Sequence, residues 1–113
     1  MVVDGVGEWS TISYGVAKEK NIELFESVSF PHSIGLLYSV VTGLLGFEVN
    51  GGEYKVMGLA PYGSKEAAEL SWSLLENSPG GGIRVNTNIL DFTASKEEID
   101  RQLTEYFGIP PRK

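Results

Sequence analysis

The sequence predicts an α/β fold, α+β by content, in which a three-stranded antiparallel meander is followed by helices. Residues 10–16 and 22–30 alternate apolar and polar side chains with the period of two that half-buried strands show. Residues 34–45 instead space their apolar side chains like a helix with one buried face. With 113 residues, the chain suits one small domain rather than two.

Three strands are predicted in the first thirty residues. The first strand is residues 2–3, and turns at 6–9 and 18–21 separate it from the two alternating segments. Pro31 ends the third strand. Ser33 is the predicted N-cap of the next helix, because its hydroxyl can accept a hydrogen bond from a free amide in the first helical turn.

The helix predicted at residues 34–45 contains Gly35 and Gly43. Each glycine costs about 1 kcal/mol relative to alanine inside a helix, so we expect both to permit close packing. A short helix is predicted at residues 54–60, where Pro61 ends it.

The second half of the chain is predicted to contain two more helices and two short strands. A helix is expected at residues 64–77, before Pro79 and the following glycines. Residues 83–86 and 89–92 are strand candidates. Ser95 is expected to cap a last helix that runs to Gly108. The predicted element order is therefore β-β-β-α, short α, α, β-β, α.

Charge and composition narrow the classes of function. The 42% apolar and 21% charged residues are close to the average of folded globular domains. The net charge of −6 repels phosphate backbones and anionic lipids, so we expect neither a nucleic-acid nor a membrane partner. The absence of cysteine excludes disulfides and thiol nucleophiles. The chain opens without a basic segment followed by a long apolar run, so we expect no signal peptide and a cytoplasmic location.

One candidate binding motif is Asp4-Gly5-Val6-Gly7-Glu8, which follows the first predicted strand. In ATPases with a ribonuclease-H-like core, a hairpin of this kind carries an acidic residue for a metal-bound phosphate. Its glycines let backbone amides approach the anion. The alternative is an ordinary Asp-Gly turn between two strands, which the spacing alone favours.

A second candidate is the segment of residues 51–63 with Gly52, Glu53, Lys55 and Gly58. Glycines before a helix expose amides that suit an anion, and Lys55 can hold a phosphate as a point charge. The alternative is a tight connection between helices with solvated charges. A histidine in the position of His32, next to a proline at a strand end, is more often structural than catalytic. Because the chain contains one histidine, a site that needs two histidines from this chain is excluded.

Four blocks of the sequence together resemble the carbamoyltransferases of the nodulation-factor and antibiotic-tailoring type. The first and last blocks are the two candidate segments, and between them lie Phe30-Pro31-His32-Ser33-Ile34-Gly35-Leu36-Leu37-Tyr38-Ser39 and Gly46-Phe47. The resemblance is strong over residues 2–63 and loose beyond them.

This resemblance implies part of an actin-like, ribonuclease-H-like ATPase domain, similar to that of the enzyme that threonylcarbamoylates tRNA. In the family, ATP and carbamoyl phosphate give carbamoyl-adenylate, from which the carbamoyl group passes to a hydroxyl of a sugar or antibiotic-like acceptor. A divalent metal assists, and Asp4 is the expected metal residue. The nucleotide-facing residues that the resemblance implies are Asp4, Gly5, Gly7, Glu8, Ser10, Thr11, Gly52, Glu53, Lys55 and Gly58.

The chain is much shorter than that family requires, and it lacks the paired-histidine motif that the family places before the first hairpin. We therefore expect residues 1–113 to be a single-domain piece of a larger enzyme, inactive alone. Residues 1–63 would be its nucleotide-facing core and residues 64–113 a helical and short-strand extension. Unpaired sheet edges favour a homo-oligomer of the piece. The competing hypotheses are a nucleotide-binding module without catalysis and a small interaction protein.

Overall fold

The computed structural model describes residues 1–112, which form a mixed helical and antiparallel-strand fold. The elements are, in chain order, β1 (Val2–Val3), β2 (Ser10–Lys18), β3 (Asn21–Ser29), α1 (Ile34–Leu44), α2 (Glu53–Leu59), a 3₁₀ turn (Ala60–Tyr62), α3 (Lys65–Trp72), β4 (Leu75–Asn77), β5 (Ile83–Val85) and α4 (Lys96–Phe107). The α+β content that the sequence predicts is confirmed. No helix within the described residues is long and apolar enough to cross a membrane.

The first three strands form the predicted antiparallel meander, in the order β1-β2-β3. Val3 pairs with Ile12, and Ile12 pairs with Val28 on its other side. Ile12 and Val28 are buried, whereas Ile22, Leu24 and Phe25 in the outer half of β3 are each more than 60% exposed. Only the end of the meander that contains Ile12 and Val28 is therefore half-buried.

The core lies where α1 packs against α4 and the segment before it. Leu44, Leu90, Ile99 and Leu103 are buried together there. Ser95 caps α4 by accepting from the Glu98 amide, as the sequence predicts, and α4 ends at a left-handed Gly108. The predicted helix, its cap and its glycine end are thus all confirmed.

The helix predicted at residues 64–77 is wrong in its second half. Helix α3 ends at Trp72, and Leu75–Asn77 forms β4, which pairs with β5 in a separate two-stranded sheet. Gly80 and Gly81 have positive φ angles of 99° and 95°, which let the chain reverse between these strands. Leu75 therefore belongs to a strand, and Leu74 before it is buried in a turn rather than in a helix.

The strand predicted at residues 89–92 is also wrong. The amides of Ile89 and Leu90 both donate to the carbonyl of Asn86, which makes this segment a turn. Leu90 is nevertheless fully buried because the turn directs it into the core. Its apolar character reflects burial rather than strand pairing.

Thr11 connects the meander to the start of α1. Its side chain is 1% exposed, and its hydroxyl lies within hydrogen-bond distance of the carbonyls of Val28 and His32. Thr42 is equally buried, but its hydroxyl donates to the Tyr38 carbonyl one turn earlier in α1. That carbonyl also accepts a helical amide, as α-helix geometry requires.

The contrast between these two threonines gives a prediction. Thr11→Val should lower the free energy of unfolding by about 1–3 kcal/mol, because it removes the donor of a buried hydroxyl and leaves one nearby carbonyl without that partner. Thr42→Val should cost less than about 1 kcal/mol, because the Tyr38 carbonyl keeps its helical partner. Urea unfolding of both variants measures the difference. Equal losses would contradict a special role for the Thr11 hydroxyl.

Candidate functional site

A cleft of about 590 Å³ lies between the β1–β2 turn, the start of α1 and the loop before α2. Its walls include Asp4 and Gly5 from the first candidate motif and Glu53 from the second. These segments are nearly fifty residues apart in the sequence, and the fold brings them to one place. The remaining lining residues are Val3, Ile34, Gly35, Tyr38, Ser39 and Asn50.

The backbone around Asp4 is held by hydrogen bonds while part of its carboxylate stays free. The Asp4 amide donates to the Thr11 carbonyl at 2.9 Å. The Gly5 amide donates to Asp4 Oδ1 at 2.6 Å and so orients the carboxylate. Within residues 1–112, Oδ2 makes no hydrogen bond. Asp4 is exposed, so this oxygen is open to a ligand.

The start of α1 is packed directly on the Asp4–Gly5 turn. Ser33 is fully buried, and its hydroxyl accepts from the Leu36 amide at 3.0 Å, which confirms the predicted N-cap. The same hydroxyl donates to the Gly5 carbonyl and lies 3.3 Å from the Asp4 carbonyl oxygen. One side chain therefore begins the helix and holds the turn.

Gly35 confirms the expectation of close packing. A Cβ atom there would lie 2.6 Å from the Asp4 carbonyl oxygen and 2.8 Å from the Gly5 nitrogen. At Gly43 the nearest atom would be a Val49 methyl carbon at 3.4 Å, which is close to ordinary contact. Of the two glycines of α1, only Gly35 is therefore required by direct backbone contact.

The other residues predicted in the first hairpin do not line the cleft. Gly7 has a φ of 57°, and a Cβ there would lie 2.5 Å from the Ser10 carbonyl oxygen, so the turn itself requires this glycine. The Ser10 hydroxyl donates to the Ile12 carbonyl, and Thr11 is buried as described above. Glu8 is exposed outside the cleft. For Gly7, Ser10 and Thr11 the structure gives local structural roles.

Glu53 lines the cleft and also organises the loop before α2. Its Oε1 accepts from the Asn50 amide at 2.7 Å, and its carbonyl accepts from the Tyr38 hydroxyl at 3.1 Å. The bond from Asn50 and a further bond from its own amide lower the pKa of Glu53 from its ordinary value. Asn50, whose amide makes the first of these bonds, has a positive φ of 66°.

The rest of the second candidate segment lies outside the cleft. The Gly52 amide donates to the Glu48 carbonyl at 2.7 Å, and a Cβ at Gly52 would meet that same oxygen. The Lys55 ammonium lies 5.8 Å from the ring centres of both Phe47 and Tyr54, a cation–π arrangement. Gly58 has no atom within 4 Å of its Cβ position.

Sequence reasoning missed Asn50, Tyr38 and Ser39 as lining residues. Tyr38 follows Gly35 by three positions, which places both on one helical face, but that face could be assigned to the cleft only once its partner was known. His32 makes a structural contact, because its Nδ1 lies 3.0 Å from the Val85 carbonyl oxygen. Among residues 1–112 no three His, Cys, Asp or Glu side chains form a group able to hold a metal ion.

Comparison with known proteins identifies the family. Residues 1–112 match the family model described as the carbamoyltransferase N-terminus. The chain belongs to this carbamoyltransferase family. The resemblance inferred from the four sequence blocks is therefore confirmed, and the match also covers the second half of the chain, where those blocks gave little guidance.

Two curated relatives support this assignment. A protein of Synechocystis sp. named sll1178, described as uncharacterized, is 38% identical over 113 residues, which cover 99% of this chain and 18% of the relative. The nodulation protein NolNO of Sinorhizobium fredii is 33% identical over 89 residues, which cover 75% of this chain and 12% of that protein. The chain thus spans less than a fifth of the length of either relative.

The loop contact of Glu53 predicts a specific pH dependence. Because the pKa of Glu53 is lowered in the folded state, its contribution to stability is present above the unfolded value of about 4.3 and is lost as pH falls through the folded pKa. Glu53→Gln should therefore reduce the loss of stability between about pH 5 and pH 3, which urea unfolding at a series of pH values would measure.

Glu48→Gln is the matched control, because it removes the same charge from the same loop. Within residues 1–112 the Glu48 carboxylate makes no hydrogen bond, so this variant should keep the acid dependence of the unmodified chain. A Glu53→Gln profile parallel to that of the unmodified chain at every pH would show that the Asn50 bond does not contribute.

Proposed function

We propose that this chain forms the nucleotide-phosphate side of the active site of an O-carbamoyltransferase. The complete enzyme would make carbamoyl-adenylate from carbamoyl phosphate and ATP and transfer the carbamoyl group to a hydroxyl of a sugar or antibiotic-like acceptor. The observation that carries this proposal is the convergence of Asp4, Gly5 and Glu53 on one cleft. Membership of the carbamoyltransferase family supports the type of reaction.

The proposed fold is part of an actin-like, ribonuclease-H-like ATPase domain. The antiparallel meander followed by α1, with a turn of the meander packed on the start of that helix, supports it. We propose residues 1–63 as the nucleotide-facing core and residues 64–113 as the extension. Cytoplasmic location remains a prediction from the sequence.

Asp4 fits the role of a metal residue. Its free Oδ2 is exposed in the cleft, and Mg²⁺-type ions in phosphate sites commonly use one or two carboxylates together with phosphate oxygens and water. Such an ion, when bound, would neutralise charge that develops on the adenylate phosphate. The described residues supply fewer than three clustered ligands, so phosphate, water or other parts of the enzyme would complete the set.

Gly5 and the start of α1 fit an anionic group next to that carboxylate. A Cβ at Gly5 would have no atom within 4 Å among the described residues, so crowding does not explain this glycine. An absent side chain leaves room for a phosphate to approach the backbone. Ile34 and Gly35 also line the cleft, and the start of a helix carries partial positive charge.

The first test of this function is Asp4→Asn in the full-length enzyme. We expect the rate of carbamoyl transfer to fall by about 100-fold or more, the scale seen when one electrostatic group is removed from an active site. Glu23→Gln, an exposed change of equal charge on β3, should leave the rate unchanged. An Asp4→Asn enzyme with the full rate would contradict the assignment of this cleft.

The second test concerns the 113-residue chain alone. With carbamoyl phosphate, ATP and a hydroxyl acceptor it should show no carbamoyl transfer, since it corresponds to 18% and 12% of the lengths of the relatives that it matches. Product analysis by mass spectrometry would detect any transferred carbamoyl group. Turnover by this chain would show that the described residues contain a complete site.

A further inference from the structure

We propose that Thr11, Ser33 and Gly35 form a clamp that positions the Asp4 carboxylate for its ligand. This inference rests on the proposed function of the cleft. It assigns a positioning role to the side chains of Thr11 and Ser33, which do not line the cleft, and to the absence of a side chain at Gly35, whose backbone does. The clamp joins the β1–β2 hairpin to the start of α1 from both sides of the Asp4–Gly5 turn.

One hydroxyl group of the clamp bonds from the hairpin to the segment before α1, and the other bonds from that segment to the hairpin turn. Thr11, on β2, reaches across to the carbonyl of His32, the residue just before the helix cap. Ser33, the cap itself, reaches back to the carbonyl of Gly5. Both of these side chains are at most 1% exposed, whereas the residues whose carbonyls they reach, His32 and Gly5, are half-buried. The hairpin and the start of α1 are therefore held at one relative position.

Gly35 contributes by lacking a side chain. The atoms that a Cβ would meet, the Asp4 carbonyl oxygen at 2.6 Å and the Asp4 carbonyl carbon at 2.8 Å, are backbone atoms. No rotamer change can relieve such a contact, so either the turn or the helix must move. Restoring a separation of 3.4 Å to the oxygen would require a shift of about 1 Å.

Displacement on this scale matters for a ligand-binding carboxylate. A displacement of about 1 Å in a reacting group can cost about 100-fold in rate, and productive geometries tolerate about 0.5 Å. The Asp4 amide donates to the Thr11 backbone carbonyl, and the carbonyl of the next residue, Gly5, accepts from the Ser33 hydroxyl. The position of the free Oδ2 of Asp4 is therefore set by the same contacts that hold α1.

The test compares Gly35→Ala with Gly43→Ala in the full-length enzyme. Both changes replace a glycine of α1 by a better helix former, but only the first meets backbone of the turn. We expect Gly35→Ala to raise the Kd for Mg²⁺·ATP at least tenfold by calorimetry and to speed amide hydrogen exchange at Asp4 without ligand. Gly43→Ala should match the unmodified enzyme in both measurements.

Ser33 provides a second pair of variants in case Gly35→Ala fails to fold. Ser33→Ala should raise the Kd, and Ser33→Thr, which keeps the hydroxyl, should restore it. A role in stability alone would lower the melting temperature and leave the Kd of the folded enzyme unchanged. That result, or unchanged Mg²⁺·ATP affinity in folded Gly35→Ala, overturns the clamp. Failure of the unmodified enzyme to bind Mg²⁺·ATP overturns instead the proposed function on which the clamp's role rests.

Discussion

The geometry of the cleft depends on the hydrogen bonds of the Ser33 hydroxyl group. It begins α1 by accepting the Leu36 amide and fixes the β1–β2 turn by donating to the Gly5 carbonyl. Thr11 adds a second link from the hairpin to the residue before the cap. Because these hydroxyl groups are buried, each needs a hydrogen-bond partner, and the partners that they find fix the position of the hairpin relative to α1. The cleft is a consequence of how the hairpin and helix meet.

The glycines of the two candidate motifs separate into different physical classes. Gly7 is required by its positive φ and by the Ser10 carbonyl, and Gly52 by the Glu48 carbonyl. Gly5 and Gly58 meet no such obstacle within the described residues, and only Gly5 lies in the cleft. A glycine-rich sequence therefore mixes glycines that a turn requires with glycines that face open space, and only contact geometry separates the two.

The errors in the predicted fold have a common cause. The helical spacing of residues 64–77 is real, but it ends within the segment, because Leu75–Asn77 finds a strand partner in Ile83–Val85. The apolar run near Leu90 is buried in the core without any strand pairing. In both places tertiary contacts overrode a local pattern, which short segments allow because their intrinsic preferences are weak.

The sequence by itself determined the meander, the serine caps of α1 and α4, the glycine end of α4 and the carbamoyltransferase family. These features depend on local periodicity, on side chains that bond to nearby amides and on motif order, all of which are properties of neighbouring residues. Only the tertiary structure decided which candidate residues share the cleft. It joined Asp4 to Glu53, added Asn50 and Tyr38, and left Lys55 against two aromatic rings. The physical reason is that the angle between the hairpin and α1 is set by buried contacts between distant segments, which no local pattern encodes.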